Sequence, residues 1–432
     1  MILIVLGILV LVLLYGLLTF EVMHRTAAAI FVAGIILVLN LVFHFMEYTD
    51  ILGGIDIDTI LLLMNMMIIV GILGKTGLFE YLSLQLVMSF KDKPYRLLLI
   101  LLILTGVVSA FIDNVTTVLL IAPVIIDVFE EIGVTPVPAL LGIVFASNIG
   151  GTATLIGDPP NILIGSMADI GFMQFIYNLT PIVFVDLLVL TAILPYLFRG
   201  WYREYCEKLG RIDDEVLYKK LKLIQEGLDE KLLRRTIAIL AIVIALFFLE
   251  DVFKYPPAVP AMIGAGLLMV FVRKKLLIED IMNFIDWTTL VFFMAMFIII
   301  QGVQGMGLLD WIAMNIMGLT TAKTGLILVI TWVSAFLSAF IDNIPFVMSM
   351  IPVIKSITTT LGINPLPLYW SLSLGGCLGG NGTMVGASAN IVVVSLASKL
   401  GHDISFREFL KYGMTVMTIT VAIATIYLLI RY

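Results

Sequence analysis

Charge is what this sequence lacks most. Only 13% of its 432 residues are Asp, Glu, Lys or Arg, about half the share of an ordinary soluble domain. Hydrophobic residues make up 61%, and the mean hydropathy is +1.12. No soluble fold of this length hides so much apolar surface. The chain therefore reads as an integral membrane protein whose first partner is the lipid bilayer. Cysteine is almost missing as well: Cys206 and Cys377 cannot build a disulfide framework or a CxxC metal site. His24, His44 and His402 lie far apart, without metal-ligand spacing. There is no P-loop and no dinucleotide fingerprint, hence no ATPase within the chain. A separate soluble ATPase partner would leave no trace in it. Nothing points to nucleic acid or to a cofactor other than a coupling ion.

What is present is a succession of apolar runs, from 2–19 to 413–430, many of them near the roughly 20 residues a spanning helix needs. The first run has no basic leader and no small-residue cleavage site, so it is expected to stay as a helix. One long polar stretch, 199–235, interrupts the series. It carries Arg199, Arg203, Lys208, Arg211, Lys219, Lys220, Lys222, Lys231, Arg234 and Arg235 among acids. This reads as a solvated, helical linker between two membrane halves, 1–198 and 236–432. The excess of Lys and Arg places it in the cytoplasm, and the expected location is the plasma (inner) membrane of a prokaryote.

The halves repeat each other. Ser109-Ala-Phe-Ile-Asp-Asn114 recurs as Ser338-Ala-Phe-Ile-Asp-Asn343, an offset of 229 residues. Gly151, Thr154, Gly157 and Asn161 match Gly380, Thr383, Gly386 and Asn390 at the same offset. Internal duplication of this kind builds many transporters. Charge decides the orientation of the repeats. If 97–126 and 324–354 are re-entrant hairpins, each half crosses five times and the repeats are inverted. Arg25, Lys75, Lys91, Lys93, Arg96, Arg273, Lys274, Lys275, Lys399, Arg407 and Lys411 then lie inside with the linker, and Asp50, Asp56 and Asp58 outside. If the first segment crosses instead, the first-half charges are all reversed. The expected fold is thus all-α and polytopic. It has two inverted repeats of about five crossings, each with a hairpin (97–126, 324–354) and a broken helix (138–168, 367–398).

Two pairs of motifs carry the chemistry. Asp113-Asn114 and Asp342-Asn343 sit at the hairpin tips. An acid deep in a bilayer costs at least ~2.5–3.5 kcal/mol and is usually functional. Free carbonyls with Asp and Asn oxygens make a cage suited to Na⁺ or H⁺, so Asp113, Asn114, Asp342 and Asn343 are candidate Na⁺ ligands, with Thr116 and Thr117 beside them. The alternative is that the tip residues simply cap two half-helices. The second pair comprises Asn148-Ile-Gly-Gly-Thr-Ala-Thr-Leu-Ile-Gly-Asp-Pro-Pro-Asn161 and Gly379-Gly-Asn-Gly-Thr-Met-Val-Gly-Ala-Ser-Ala-Asn390. Glycines and prolines at these densities break a helix. The first is expected to unwind from Gly150 to Gly157 and to resume at Pro159, its dipole end facing the gap. Asn148, Gly151, Thr152, Thr154, Asp158, Asn161, Asn381, Thr383, Ser388 and Asn390 are the candidate ligands for ion or solute. The halves differ, since Asp158 has Ala387 as its counterpart. Asp158 is either a charged ligand or an N-cap. A lone acid, Asp186, has no acidic counterpart; it either relays protons or snorkels to the interface.

These motifs resemble the ion-transporter superfamily, in the branch of arsenite-pump membrane proteins, NhaD-type sodium–proton antiporters and the melanosomal P protein. The Gly-Asp-Pro-Pro-Asn161 stretch looks most like the P-protein side. The resemblance covers nearly the whole chain and implies scaffold helices around a moving domain, a homodimer and an elevator-like mechanism. Dicarboxylate-carrying relatives have Ser-Asn-Thr at the tips. Asp113-Asn-Val-Thr116 and Asp342-Asn-Ile-Pro345 depart from this, which argues against a dicarboxylate substrate and for direct cation or proton handling. The expected function is Na⁺- or H⁺-coupled secondary transport of a small inorganic ion or solute, with export of arsenite or another anion leading. Na⁺/H⁺ antiport and an anion channel of the P-protein type are the alternatives. An aspartyl-protease pair at Asp113 and Asp342 is set aside, because both acids recur with the whole half-repeat; no enzyme is expected.

Overall fold

The computed structural model describes the chain except residues 21, 91, 210–213 and 274, and except the side chains of 214–217, 220 and 251. Lys91, Arg211, Lys274 and the Lys220 side chain, used above to orient the chain, lie outside the described residues. Every element among the described residues is a helix. Ten helices precede the polar stretch, two lie within it and ten follow it in the same order. Among the described residues, ten helices are long and apolar enough to cross a membrane, and three of these are hairpin arms.

Each hairpin is a pair of helices meeting at the Asp-Asn motif. Pro94–Phe111 and Asn114–Ile132 form the first, Lys323–Phe340 and Asn343–Leu361 the second. Their arms run past the limits expected from apolarity. At the outer ends Lys93 precedes a proline that starts the helix, and Gly133 and Gly362 end the second arms in the left-handed conformation. The broken helices are Val137–Gly151 with Pro159–Ala168, and Leu366–Gly379 with Ser388–Lys399. The first break is shorter than expected. Helix persists through Gly151, and only Thr152 to Asp158 leave it.

The helices sort into two bodies. In one, Arg25–Phe43 packs on Trp287–Gly305, and Ile57–Gly74 packs on Ala258–Val272. In the other, Pro94–Phe111 lies along Val137–Gly151, and Lys323–Phe340 along Leu366–Gly379. The resumed helices cross over: Pro159–Ala168 packs on the second hairpin, Ser388–Lys399 on the first. The two halves are thus interlocked by reciprocal contacts.

Close approach explains the glycines. A methyl group on Gly150 would lie 2.1 Å from the Gly106 carbonyl oxygen, and one on Gly379 would lie 2.6 Å from the Ala335 carbonyl oxygen. These positions correspond at the offset of 229, so one helix crossing is built twice.

The polar stretch is less solvated than its composition predicts. Arg199–Leu209 buries Trp201 and Tyr205, which stack on Phe129 at centroid distances of 5.6 and 5.3 Å. Trp201 donates its indole N–H to the Thr135 carbonyl at 2.8 Å. The first linker helix is amphipathic and docks on the first hairpin. Its far boundary also moves, because Glu230 already begins the helix that runs to Phe253.

Candidate functional site

The tips and breaks converge on buried asparagines. Asn148 is fully buried at the end of Val137–Gly151. Its amide donates to Asn381 Oδ1 at 3.0 Å and to Asn390 Oδ1 at 2.9 Å, joining the first break to the second. Asn148 Oδ1 accepts from Asn114 Nδ2, at the first tip, at 3.2 Å. Asn114 Nδ2 also reaches Asp158 Oδ1 at 3.4 Å. Asp158 is within electrostatic reach of both Asp342 and Asp113. Sequence reasoning named these residues from four separate segments, and the fold brings them together.

A second set of bonds shapes the two breaks alike. Asn161 Nδ2 donates to the carbonyls of Thr152 (3.0 Å) and Thr154 (2.9 Å). Asn390 Nδ2 does the same to Gly380 and Thr383, each at 2.8 Å. The hydroxyls of Thr154 and Thr383 donate to the carbonyls of Ala110 and Ala339 in the hairpins. Ser109 donates to the Ser147 carbonyl at 2.7 Å, and Ser338 to that of Gly376 at 2.6 Å. Thr154, Thr383, Asn161 and Asn390 therefore hold the irregular backbone in shape. So does Thr152, whose hydroxyl returns to the Asn148 carbonyl at 2.9 Å. Gly151 is buried at the first break. Thr117 bonds only within its hairpin, to the Ile112 carbonyl at 3.3 Å.

The tip acids are engaged as caps. Asp113 accepts from the Thr116 backbone N–H at 3.0 Å and from its hydroxyl at 2.5 Å. Asp342 accepts from the Ile344 N–H at 3.2 Å and from Arg25 Nη1 at 3.3 Å. Asn343 is buried beside it.

Asp158 behaves differently. It stands at the N-cap position of Pro159–Ala168 with extended backbone (φ −142°, ψ 133°), as a residue before proline must. Yet its side chain caps nothing. The reason is local: Pro159 and Pro160 have no N–H, and the N–H of Asn161 already donates to the Asp158 carbonyl at 2.9 Å. The N-cap reading therefore fails. Oδ2 of this buried carboxyl has no nitrogen or oxygen donor among the described residues, with only the weak thiol donor of Cys377 beside the carboxyl, and Nδ2 of Asn381 has no acceptor. Buried polar atoms without partners are uncommon, so the centre keeps one acceptor and one donor for something else.

The prolines also correct an expectation. The first resumed helix cannot present free N–H groups at its first two positions, whereas the second, starting at Ser388-Ala389, can. Beside that second start lies a cation the sequence reading counted only for orientation. Arg25 donates to Ser388 Oγ at 2.5 Å and to Thr289 Oγ1 at 3.0 Å, and its guanidinium lies 5.8 Å from the Phe292 ring centroid. It links the body of Arg25–Phe43 and Trp287–Gly305 to the second tip. Arg25 is the only Lys or Arg in the first 74 residues, the one signal that could have singled it out. Arg25, His24, Asp342 and Ser388 line a cavity of about 520 Å³ with Phe340 and Ile391.

Helices of membrane length around a buried polar centre suit a membrane transporter, and the family and relatives are transporters. The chain belongs to the CitMHS citrate transporter family, whose model matches residues 15–375. It is 38% identical to the 46 kDa membrane protein of Mycobacterium leprae over 99% of both chains. It is 37% identical to an uncharacterized transporter of Mycobacterium tuberculosis, over 97% of this chain and 96% of that one. The mouse P protein is 29% identical, 97% of this chain matching 59% of that protein. Among solved structures, the YdaH transporter of Alcanivorax borkumensis matches at 13% identity with a TM-score of 0.48, over 89% of this chain and 88% of that one.

Proposed function

We propose that this chain is a cation-coupled secondary transporter of a small anionic solute. The coupling Na⁺ or H⁺ binds at the first-half end of the centre, and the solute at the second-half end. The difference between the two helix starts carries this reading. The first start has an uncommitted carboxylate oxygen and no N–H at its first two positions. The second has N–H groups, Ser388 Oγ and Arg25. Cations suit the former and anions the latter. Asn114 and Asn148 complete the cation end, with the tip oxygens of Asp113 close by. Asn381 Nδ2 is a donor left for the solute between the two ends. An inorganic oxyanion such as phosphate, arsenite in its ionised form, or a carboxylate such as the citrate of the family's name has the chemistry for the second end.

Movement follows from an offset between the two bodies. The start of Arg25–Phe43 is level with the second hairpin tip and the start of the second resumed helix. The corresponding start of Ala258–Val272, with Tyr255 and Pro257, instead lines a cavity with Gly165, Ser166 and Asp169 at the far end of the first resumed helix. Equivalent helices thus meet non-equivalent levels of the other body. This supports an elevator-like slide of the hairpin body along the other; inverted repeats, the linker inside and a homodimer belong to the same reading. The test is transport into liposomes under an imposed Na⁺ or pH gradient, screening arsenite, phosphate, chloride, citrate and Na⁺ itself. Anion uptake driven by either gradient is the expected result. A large unitary current, or Na⁺/H⁺ exchange with no solute, would replace this reading with the channel or the antiporter.

A further inference from the structure

Asp186 plays no part in the site above, yet among the described residues it is the acid with both carboxyl oxygens buried and unpartnered. It sits at the middle of Phe172–Leu197, fully buried on the stripe that also buries Ile182, Leu187 and Leu190. Neither of its carboxyl oxygens has a hydrogen-bond partner among the described residues. Snorkelling is excluded by that burial. The helix runs alongside the first break. Thr180 donates to the Ala153 carbonyl within the break at 3.1 Å. Leu187 packs on Gly106, where a methyl group would come within 2.6 Å of Leu187 Cδ1, and Gly106 is the backbone against which Gly150 fits. Six residues past Thr180, Asp186 lies about 9 Å further along the axis, at the level of the broken helix.

The surroundings decide what the acid can bind. Val137–Gly151, packed on this helix, has no titratable residue. Pro94–Phe111 brings Tyr95 and Arg96, but in its first turn. Phe406–Arg431 runs antiparallel: Tyr427 donates to the Asn178 carbonyl at 2.6 Å, and Tyr412 lies 4.0 Å from Phe198 between ring centroids. Its charges, Arg407, Glu408, Lys411 and Arg431, are therefore at the two ends. Glu230–Phe253 likewise keeps Glu230, Lys231, Arg234 and Arg235 at one end and Glu250 and Asp251 at the other. Leu366–Gly379 contributes only Tyr369 and Cys377, and Arg199–Leu209 meets the helix beyond Leu197. Among the described residues no hydrogen-bond donor reaches the carboxyl, and the cations of the helices packed on this one sit at their ends. A metal cation needs several oxygen ligands, and none is gathered here. A proton needs none.

We propose that Asp186 is a separate proton-binding site beside the first break, taking up and releasing a proton during transport in addition to the cation held at the first-half end of the centre. This rests on the ion-coupled reading and adds a proton to it. Repeat symmetry does not call for the acid. At the offset of 229 its counterpart is Thr415, exposed and bonded to the Lys411 carbonyl of its own helix.

Two measurements on the full-length protein test it. In liposomes with a pH gradient, Asp186→Asn should abolish proton-driven uptake and flatten the pH profile, and Asp186→Glu should restore both with a displaced midpoint. Infrared difference spectra between acid and alkaline samples of the purified protein should show a carboxylic-acid band that Asp186→Asn removes. The second measurement does not need transport. If no solute moves under any gradient, the functional reading falls while the band still reports on Asp186. An unchanged band in Asp186→Asn, or a wild-type pH profile in both variants, would overturn the proposal. Should Asp186→Asn fail to fold, the midpoint of Asp186→Glu decides, and an unmoved midpoint rejects the site.

Discussion

Two prolines give Asp158 its character. They remove the donors that would have tied its carboxylate to the helix end, and they force the extended backbone that turns it toward Asn114. An N-cap replaced by a poorer one costs about 0.5–2 kcal/mol of stability, but here there is no cap to lose. Asp158→Asn should therefore leave the melting temperature unchanged or slightly raised, since it removes an unpartnered buried oxygen from a charged group. Cation affinity should fall at least tenfold, and clearly more than in Ala387→Ser. Equal, small effects of both substitutions on the ion dependence of uptake would take Asp158 out of the site. Arg25 is the complementary case. Three hydroxyl or carboxylate oxygens from two bodies surround one guanidinium, a geometry that a lysine cannot reproduce. Arg25→Lys should raise the solute KM several-fold while leaving the coupling-ion dependence intact. The reverse pattern would move Arg25 from solute to cation.

Helix crossings without room for a methyl group fix the breaks in place. Gly150 meets the backbone of Gly106, and Gly379 that of Ala335. Either glycine changed to alanine should destabilise the protein by about 1–3 kcal/mol through overpacking, read as a lower melting temperature in detergent. Gly34 is the control. Nothing lies within 4 Å of a methyl group there, and Gly34→Ala should be neutral or stabilising. The same outcome at Gly150 would mean that the helices separate more easily than their packing implies. The linker helix Arg199–Leu209 was misjudged from sequence because its charges outnumber its aromatics. Its three buried residues, Trp201, Tyr205 and Leu209, lie on one face and outweigh the charges once a hairpin end is there to receive them.

The relation of the two bodies is where the whole molecule carries function. His24 on one body and Ile391 on the other line the same cavity. In a background without Cys206 and Cys377, cysteines at 24 and 391 joined by a short bifunctional reagent should stop transport, and cleavage of the reagent should restore it. Full activity of the fully cross-linked protein would exclude sliding. Orientation in the membrane has its own check. A cysteine at the exposed position 226 should react with an impermeant thiol reagent from the cytoplasmic side only, and labelling from outside alone would end the inverted-repeat reading. Position 215, in the same helix, lies outside the described side chains.

Composition, repeat spacing and the Gly-Pro clusters are local properties, and each was legible in the chain. Apolar runs dictate membrane helices because water offers them no favourable surface. The offset of 229 reveals a duplicated half, and glycine and proline mark where helices must break. Asp113, Asn148, Asp158 and Asn390 could be nominated on this basis alone. Which of them are committed and which are free could not, because that depends on who supplies the donors. Asp113 finds Thr116 three residues away, while Asp342 finds Arg25 from 317 residues earlier. Asp158 is left uncommitted by the prolines that follow it, and Asp186 by the apolar middles of the helices packed on its own. Hydrogen-bond satisfaction is settled only when distant segments pack, so the tertiary structure decided which donors and acceptors of the centre are taken and which are left over.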